Sequence, residues 1–418
     1  MRGAALLLAA VAATGGAGVP ARAACIALTG GRLALPGAKP TQGTLVMTDG
    51  RIAEAGPSAA VPAGCERIAI DGRVVTAGLI DAASTIGLAE IDLEPITVDQ
   101  DAGGTDPVRA AFRAADGYNP QSVLIPVARA GGVTSALIAP TGGLVAGQAA
   151  WVDLAGATQR EALRASPAAI AASLDGPAGT ALRRLRELLE DARLFVTRRE
   201  AWEKNQSRQF PWSRSDLEAL RPLIEREIPL VVAADRASDI EALLRLAEEQ
   251  KIDVVVRGGA EAHLLATEIA AARVPVILDP FVYGPGSYDQ VHGRSDNAAR
   301  LHAAGVTIAL STYSGHNVRK LRQLAGNAVR DGLPWEVALE AITAAPARIF
   351  GMGDHGTLAR GSVANVVVWS GDPLEIGERV ERIWIAGRPF EPRSRQTELF
   401  ERYRTMPGTP QPALPLPR

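Results

Sequence analysis

The chain is short of the side chains that do acid–base and metal chemistry. Its 418 residues include five histidines, at 263, 292, 302, 316 and 355, and two cysteines, Cys25 and Cys65. No two histidines have the i, i+4 or alternating spacing that puts a pair of imidazoles on one face of a helix or strand. Each is therefore read as a surface or capping residue, and His316 alone is placed to face a pocket. Six carboxylates follow in one stretch: Asp81, Glu90, Asp92, Glu94, Asp99 and Asp101. They could offer oxygen ligands to a hard cation, but the stretch reads better as a solvated loop. Gly351-Met352-Gly353-Asp354-His355-Gly356 matches G-x-G-x-x-G, yet it follows a helix and opens none, so it makes no dinucleotide site. Gly258-Gly259, ahead of a helix from Ala260, could present amides to an anion or simply turn the chain. No G-x-S-x-G elbow exists, and no Ser-His-Asp set can be named from order alone.

Composition excludes further classes. With 44 basic against 46 acidic residues the formal charge is −2, which argues against a generic nucleic-acid binder. Aromatic residues at 4% leave little for stacking bases or sugars. Residues 1–23 have the form of a secretory signal peptide: Arg2, an apolar run from Ala4 to Ala13, then Ala21-Arg22-Ala23. That run is too short for a membrane span, which takes about 20 residues. Lipidation at Cys25 is disfavoured by Arg22, which stands where an apolar residue is usual. The expected product is a secreted protein, in a bacterial periplasm, beginning near Ala24 and not inserted in a membrane.

The elements that must position any site follow from the pattern. Residues 25–76 read as short strands with Asp-Gly turns at 49–50 and 71–72, and 357–388 have the same character. Between them, strand candidates at 74–81, 132–139, 168–174, 229–234, 252–257, 274–279 and 306–311 alternate with helices. Leu182, Leu185, Leu188 and Leu189 line one helical face. Ser215 with Glu218, and Ser238 with Glu241, read as capping boxes, and Pro334 opens a helix. Alternating strands and helices predict a parallel sheet. Seven strands suit a (β/α)8 TIM barrel, with a doubly wound sheet as the alternative. The expected boundaries are 24–76 and 351–390 for the two parts of a composite β-sandwich, 77–350 for the barrel and 391–418 for a polar, Pro-rich tail. Neither β-segment has enough strands to bury a face alone. Cys25 and Cys65 share the first segment; a disulfide between them would stabilise by about 3–4 kcal/mol, and two buried thiols are the alternative.

Several stretches carry a family likeness. Asp71-Gly72-Arg73-Val74-Val75-Thr76-Ala77-Gly78-Leu79-Ile80-Asp81 resembles the first barrel strand of the amidohydrolase superfamily, most closely its imidazolonepropionase-like branch, with Ala77 where proline is usual. Ala338-Leu339-Glu340-Ala341-Ile342-Thr343-Ala344-Ala345-Pro346-Ala347-Arg348, followed by 356–369, resembles the closing helix and the return to the β-sandwich. Asn365 there replaces the usual Asp. Gly142–Gln148 and Val274–Leu278 match in order between these ends. The resemblance implies a metal-dependent hydrolase type of (β/α)8 barrel and hydrolysis of non-peptide C–N bonds with zinc or another divalent metal.

The same resemblance implies where the ligands should be, and this chain departs there. Ala83 and Thr85 stand at the His-x-His pair of the first strand. Ala233-Ala234-Asp235 ends the fifth strand, Arg257 lies near the sixth-strand His position, and Tyr313 follows the eighth strand in place of the Asp. Lys39, Lys204, Lys251 and Lys320 lie outside the strand ends, so no carbamylated lysine substitutes. The expected cleft contains Asp81, Ala83, Thr85, Ala233, Arg257, Asp279, Tyr313 and His316. In it Arg257 would repel a divalent cation and pair with Asp81, Asp279 or an anionic ligand. A degenerate member without metal or other cofactor is expected, binding a small molecule or a catalytic amidohydrolase subunit. An active hydrolase with an unusual site and a structural envelope protein are the alternatives. The substrate and the oligomeric state stay open.

Overall fold

The computed structural model describes residues 25–35, 37–101, 103, 105–174, 176–200, 204, 209–281 and 286–404. The signal-peptide reading and the end of the Pro-rich tail lie outside the described residues. The strands, in chain order, are β1 Cys25–Leu33, β2 Thr41–Thr48, β3 Arg51–Gly56, β4 Glu66–Ala69, β5 Val74–Ala77, β6 Leu79–Ser84, β7 Val133–Ile138, β8 Val145–Asp153, β9 Leu163–Ser173, β10 Leu230–Ala234, β11 Val254–Gly258, β12 Val276–Leu278, β13 Ile308–Leu310, β14 Val366–Trp369, β15 Val380–Ile385 and β16 Arg388–Phe390.

Both chain ends build one β-domain. Its sheet runs β16-β15-β14-β5-β1-β2-β3, with β4 on the other half of β1. The join is antiparallel, Val74–Ala77 of β5 against Val366–Trp369 of β14. Leu28, Leu45, Met47 and Ile52 from the N-terminal segment share a core with Leu358, Val366, Val368 and Trp384 from the C-terminal one. Neither set could be withdrawn from water without the other. Cys25 and Cys65 are disulfide-bonded, their Cα atoms 4.6 Å apart.

The second sheet runs β6 to β13 in sequence order. Two features differ from the pattern expected above. The run 74–81 is two strands, β5 and β6, because Gly78 allows the chain to pass close to Thr134; a Cβ there would lie 2.1 Å from the Thr134 hydroxyl. An unexpected strand, β8, pairs antiparallel with both β7 and β9, so the barrel is not uniformly parallel. Its sequence, Val-Ala-Gly-Gln-Ala-Ala-Trp-Val-Asp, lacks the alternation that marks a strand.

First and last strands are closed by other means than a ladder. Ile80 N donates to Ile342 O (2.8 Å) and Leu310 N to Ala341 O (2.9 Å), so the turn at 341–342 bridges the seam. The interior is filled by Trp151 among small residues, Ala82, Ala83, Ala149, Ala169 and Ala309, with Ile80, Val231, Val255 and Ile277. One fully buried indole needs such small neighbours, since interiors pack near crystal density. Outside, Ala178–Thr197 buries Leu182, Leu185, Leu188 and Leu189 against the sheet, as its spacing predicts.

The expected capping boxes do not form. Ser213, not Ser215, caps Arg214–Ala219, accepting from Asp216 N. The helix Ala237–Gln250 has Arg236 at its N-cap without a side-chain bond; instead Glu261 Oε2 accepts from Ala237 N at 3.0 Å. A carboxylate brought in from the next βα loop does the work that Ser238 was expected to do.

Candidate ligand cleft

The C-terminal ends of β10, β11 and β12 open on a cleft of about 310 Å³. Their register sets Ala233 beside Arg257 and Arg257 beside Ile277, so the last residues of β10 and β11 and the residue after β12 face the same space. Ala233, Arg257, Asp279 and Tyr313 all line it, joined by Asp235, Gln290, Arg294 and Asn297.

Tyr313 is the strut of this wall. It adopts φ +50°, a conformation a non-glycine residue rarely holds without support. Its hydroxyl donates to Ile277 O (2.6 Å) and accepts from Gly258 N (3.0 Å), which ties the loop after β13 to β11 and β12. Burial pushes its phenol well above the ordinary value, against the pull of the Arg257 charge. The hydroxyl therefore stays protonated and serves as a hydrogen-bonding post. The Arg257 guanidinium lies over the Tyr313 ring, 4.3 Å from its centroid, a cation–π contact.

Gly258 and Gly259 both have positive φ, and a Cβ on Gly258 would fall 2.5 Å from Asp235 Oδ1. That close approach lets Asp235 accept from Ala260 N (3.1 Å) and from Gln290 Nε2 (2.8 Å). The amide that could have met an external anion is thus satisfied by the protein's own carboxylate. Asp279 accepts from Phe281 N (2.8 Å), and burial raises its pKa above the usual carboxylate value. Among the described residues, neither Arg257 nor Asp279 has an ion-pair partner.

Four residues expected in the cleft are elsewhere. Asp81 is fully buried at the seam between β6 and β13. It accepts from Ser311 Oγ (2.5 Å), Thr312 Oγ1 (2.6 Å), Thr312 N and Ala83 N. Burial raises its pKa, and these hydrogen bonds oppose the rise. Arg257 therefore does not pair with Asp81. Ala83 belongs to the packed barrel interior. Thr85 is covered by the loop after β13, where a Cβ on Gly315 would come within 3.3 Å of its carbonyl oxygen. His316 is exposed, with Nε2 3.8 Å from Asp92 Oδ2 on the solvated acidic loop. Closing the seam turned that whole side of the mouth into packing.

The donor set does not fit a divalent metal. Among the described residues no three His, Cys, Asp or Glu come together in a group that could hold one. In the cleft, alanine and a guanidinium occupy strand ends from which ligands would have to project.

A second polar cluster lies at the opposite, N-terminal end of the barrel, and it corrects the reading of His355 as a surface residue. His355 is buried. Its Nδ1 is 2.8 Å from Asp354 Oδ1 and its Nε2 is 3.3 Å from Asp153 Oδ1, the latter an ion-pair distance without hydrogen-bond alignment. Asp153, at the end of β8, also accepts from Ser135 Oγ (2.7 Å) and Arg164 Nε (2.7 Å). Asn365 donates to it at 3.3 Å, and Arg51 reaches Asp354 at 3.2 Å. Burial works against charge on His355, yet Asp153 and then Asp354 hold its pKa above the ordinary imidazole value. Burial likewise opposes ionisation of Asp153, but His355, Arg164 and Ser135 keep its carboxyl below the usual range. No local pattern announces this cluster, because it joins two distant stretches of chain: Asp153 and Asn365 lie 212 residues apart in sequence.

Comparison with known proteins accords with this architecture. The amidohydrolase family profile matches residues 289–390. Amidohydrolase tasK of Hapsidospora irregularis is 25% identical over 374 residues, 79% of this chain but 38% of that protein. The chain thus spans well under half the length of this curated relative. An amidohydrolase from Thermotoga maritima superposes with TM-score 0.80 at 26% identity, over 88% of this chain and all of that one. Phenylurea hydrolase B, at 16% identity and TM-score 0.55 over 88% of this chain and 97% of its own, shares the fold. In fold, in strand order and over these matches, the chain is similar to the amidohydrolases.

Proposed function

We propose that this is a secreted, metal-free member of the superfamily, close to the imidazolonepropionase-like branch, whose barrel binds a small molecule without hydrolysing it. The observation that carries this reading is Arg257. It places a permanent positive charge at a strand end in a cleft that offers no imidazole or thiolate. Metal-assisted hydrolysis needs a cation that lowers the pKa of bound water and polarises the scissile carbonyl. Here Ala83, Thr85, Ala233 and Tyr313 supply neither an imidazole nor a carboxylate for that task. The Cys25–Cys65 bond supports an oxidising compartment, and N-terminal sequencing of exported protein should begin near Ala24. Elemental analysis after incubation with excess zinc tests the metal-free reading. One tightly held metal per chain, with chelator-sensitive hydrolysis of cyclic amides, would replace it with an active enzyme of unusual ligand set.

A second reading, a partner subunit for a catalytic amidohydrolase, has its own support. Leu93 and Ile96 are 94% and 87% exposed on the loop after β6. That loop is held in shape by Thr97, whose hydroxyl donates to Ile91 O (3.0 Å) and Glu94 O (2.9 Å). In Amidohydrolase tasK, moreover, the matched region is one part of a longer polypeptide. Recovery of a metal-loaded amidohydrolase with the wild-type chain, lost on Leu93→Ser with Ile96→Ser, would favour this reading.

A further inference from the structure

We infer that the cleft at β10–β12 is a receptor for a small zwitterion, an α-amino acid with an apolar side chain, whose carboxylate meets Arg257 and whose ammonium meets Asp279. The inference deepens the binding reading above and rests on it.

Three observations carry it. Arg257 and Asp279 are opposite charges that line one cleft. Among the described residues each lacks an ion-pair partner within 4 Å, so they do not neutralise each other. Elsewhere around this rim Arg236 pairs with Asp289, Arg294 and Arg300 pair with Asp296, and Asp235 and Asp239 accept hydrogen bonds from Gln290 and Ser238. Two charges left open in a partly buried cleft are best satisfied by a ligand that carries both signs and spans the gap between them. A guanidinium with its fork of donors suits a carboxylate. Tyr313 holds Arg257 in place from one side through its ring, while its own hydroxyl is spent on Ile277 and Gly258. The guanidinium is thus positioned without being consumed.

The rest of the lining selects the third part of the ligand. Leu174, Leu278, Pro280 and Ala298 give the cleft an apolar side. Its volume of about 310 Å³ accommodates a molecule the size of leucine. Asp235 stays out of the exchange, because both of its carboxylate oxygens are already engaged by Ala260 N and Gln290.

The experiment is calorimetric titration of the purified, disulfide-intact chain with three probes: L-leucine, isocaproate and isoamylamine. The last two share the apolar tail and each lacks one charge. Leucine should bind at least about tenfold more tightly than either, since each lost charge-assisted contact should cost a factor of that order or more. Arg257→Gln should reduce leucine to the affinity of isoamylamine and leave isoamylamine unchanged. Asp279→Asn should reduce it to that of isocaproate and leave isocaproate unchanged. Thermal melts establish that each variant is folded; if one is not, the three-probe comparison on the wild-type chain decides alone. Leucine that fails to bind, or that binds no better than both analogues, overturns the inference. So does a folded Arg257→Gln chain with unchanged leucine affinity. Zinc content of the same preparation separates the two claims. Stoichiometric zinc with intact leucine preference defeats the metal-free reading alone, and metal-free protein that ignores leucine defeats this inference alone.

Discussion

The two ends of the barrel hold opposite kinds of charge. At the N-terminal end, Asp153 and His355 are sealed from water among Ser135, Arg164, Asn365 and Asp354, with His355 Nε2 at ion-pair distance from Asp153. At the C-terminal end, Arg257 and Asp279 face an open cleft and, among the described residues, have no ion-pair partner. The more strongly coupled titratable cluster is therefore the one no ligand can reach. Perturbed ionisation is a sign of function only in a place where a reactant can arrive. A buried network with its charges matched instead joins the barrel to the β-domain, since Asn365 also accepts from Ala386 N (2.8 Å) while it donates to Asp153.

The largest effect should come from the residue that fills the barrel and packs edge-on to His355, with ring centroids 5.8 Å apart. Trp151→Ala should cost about 3–5 kcal/mol of unfolding free energy by chemical denaturation, because the surrounding alanines cannot collapse into the space. Next is Asp153→Asn, which leaves His355 and Arg164 facing a neutral group and should cost about 3 kcal/mol.

Stability against pH sharpens the contrast. The raised folded pKa of His355 means its contribution is complete below the ordinary imidazole value of about 6.5 and is lost as pH rises through the folded value. The lowered folded pKa of Asp153 means its contribution is complete above the ordinary carboxylate value of about 3.9 and is lost as pH falls through the folded value. The network's contribution should therefore be greatest in mildly acidic solution. Asp153→Asn should flatten both limbs, as read from denaturation midpoints across pH. A variant whose profile parallels the wild type would show that the network carries no such linkage.

Smaller effects belong to the mouth. Ser311→Ala removes one donor from buried Asp81 and should cost about 1–3 kcal/mol. It also removes the acceptor of Tyr313 N (3.1 Å), so ligand binding in the cleft should weaken with it. Leu93→Ser, at an exposed loop position, should move stability by no more than about 0.5 kcal/mol.

Much of this architecture was legible in the sequence, for physical reasons that also explain the failures. The helix at 178–197 announced itself through leucines at helical spacing, and β10 to β13 through short apolar runs between turn residues. β8 went unread because glycine and alanines blur its alternation and its antiparallel course suits no βαβ unit. In the site, Ala233, Arg257, Asp279 and Tyr313 converged because residues at or just past the C-terminal ends of parallel strands must do so. Asp81, Ala83 and Thr85 also end a strand, but the loop at 311–316 folds over them with its own hydroxyls. Nothing local to Asp81 tells whether it will face solvent or a serine 230 residues away. His355, between glycines in a loop, was misjudged for the same reason: its burial depends on a strand from another part of the chain.

The central claim is that the barrel mouth holds no catalytic metal, and the metal content of the protein tests it most directly. The purified chain, incubated with excess zinc and dialysed without chelator, is analysed by mass spectrometry for bound metal. The account predicts well under one zinc per chain, with no hydrolysis of amide or cyclic amide substrates. About one zinc per chain, its removal by chelator abolishing hydrolysis, would contradict it.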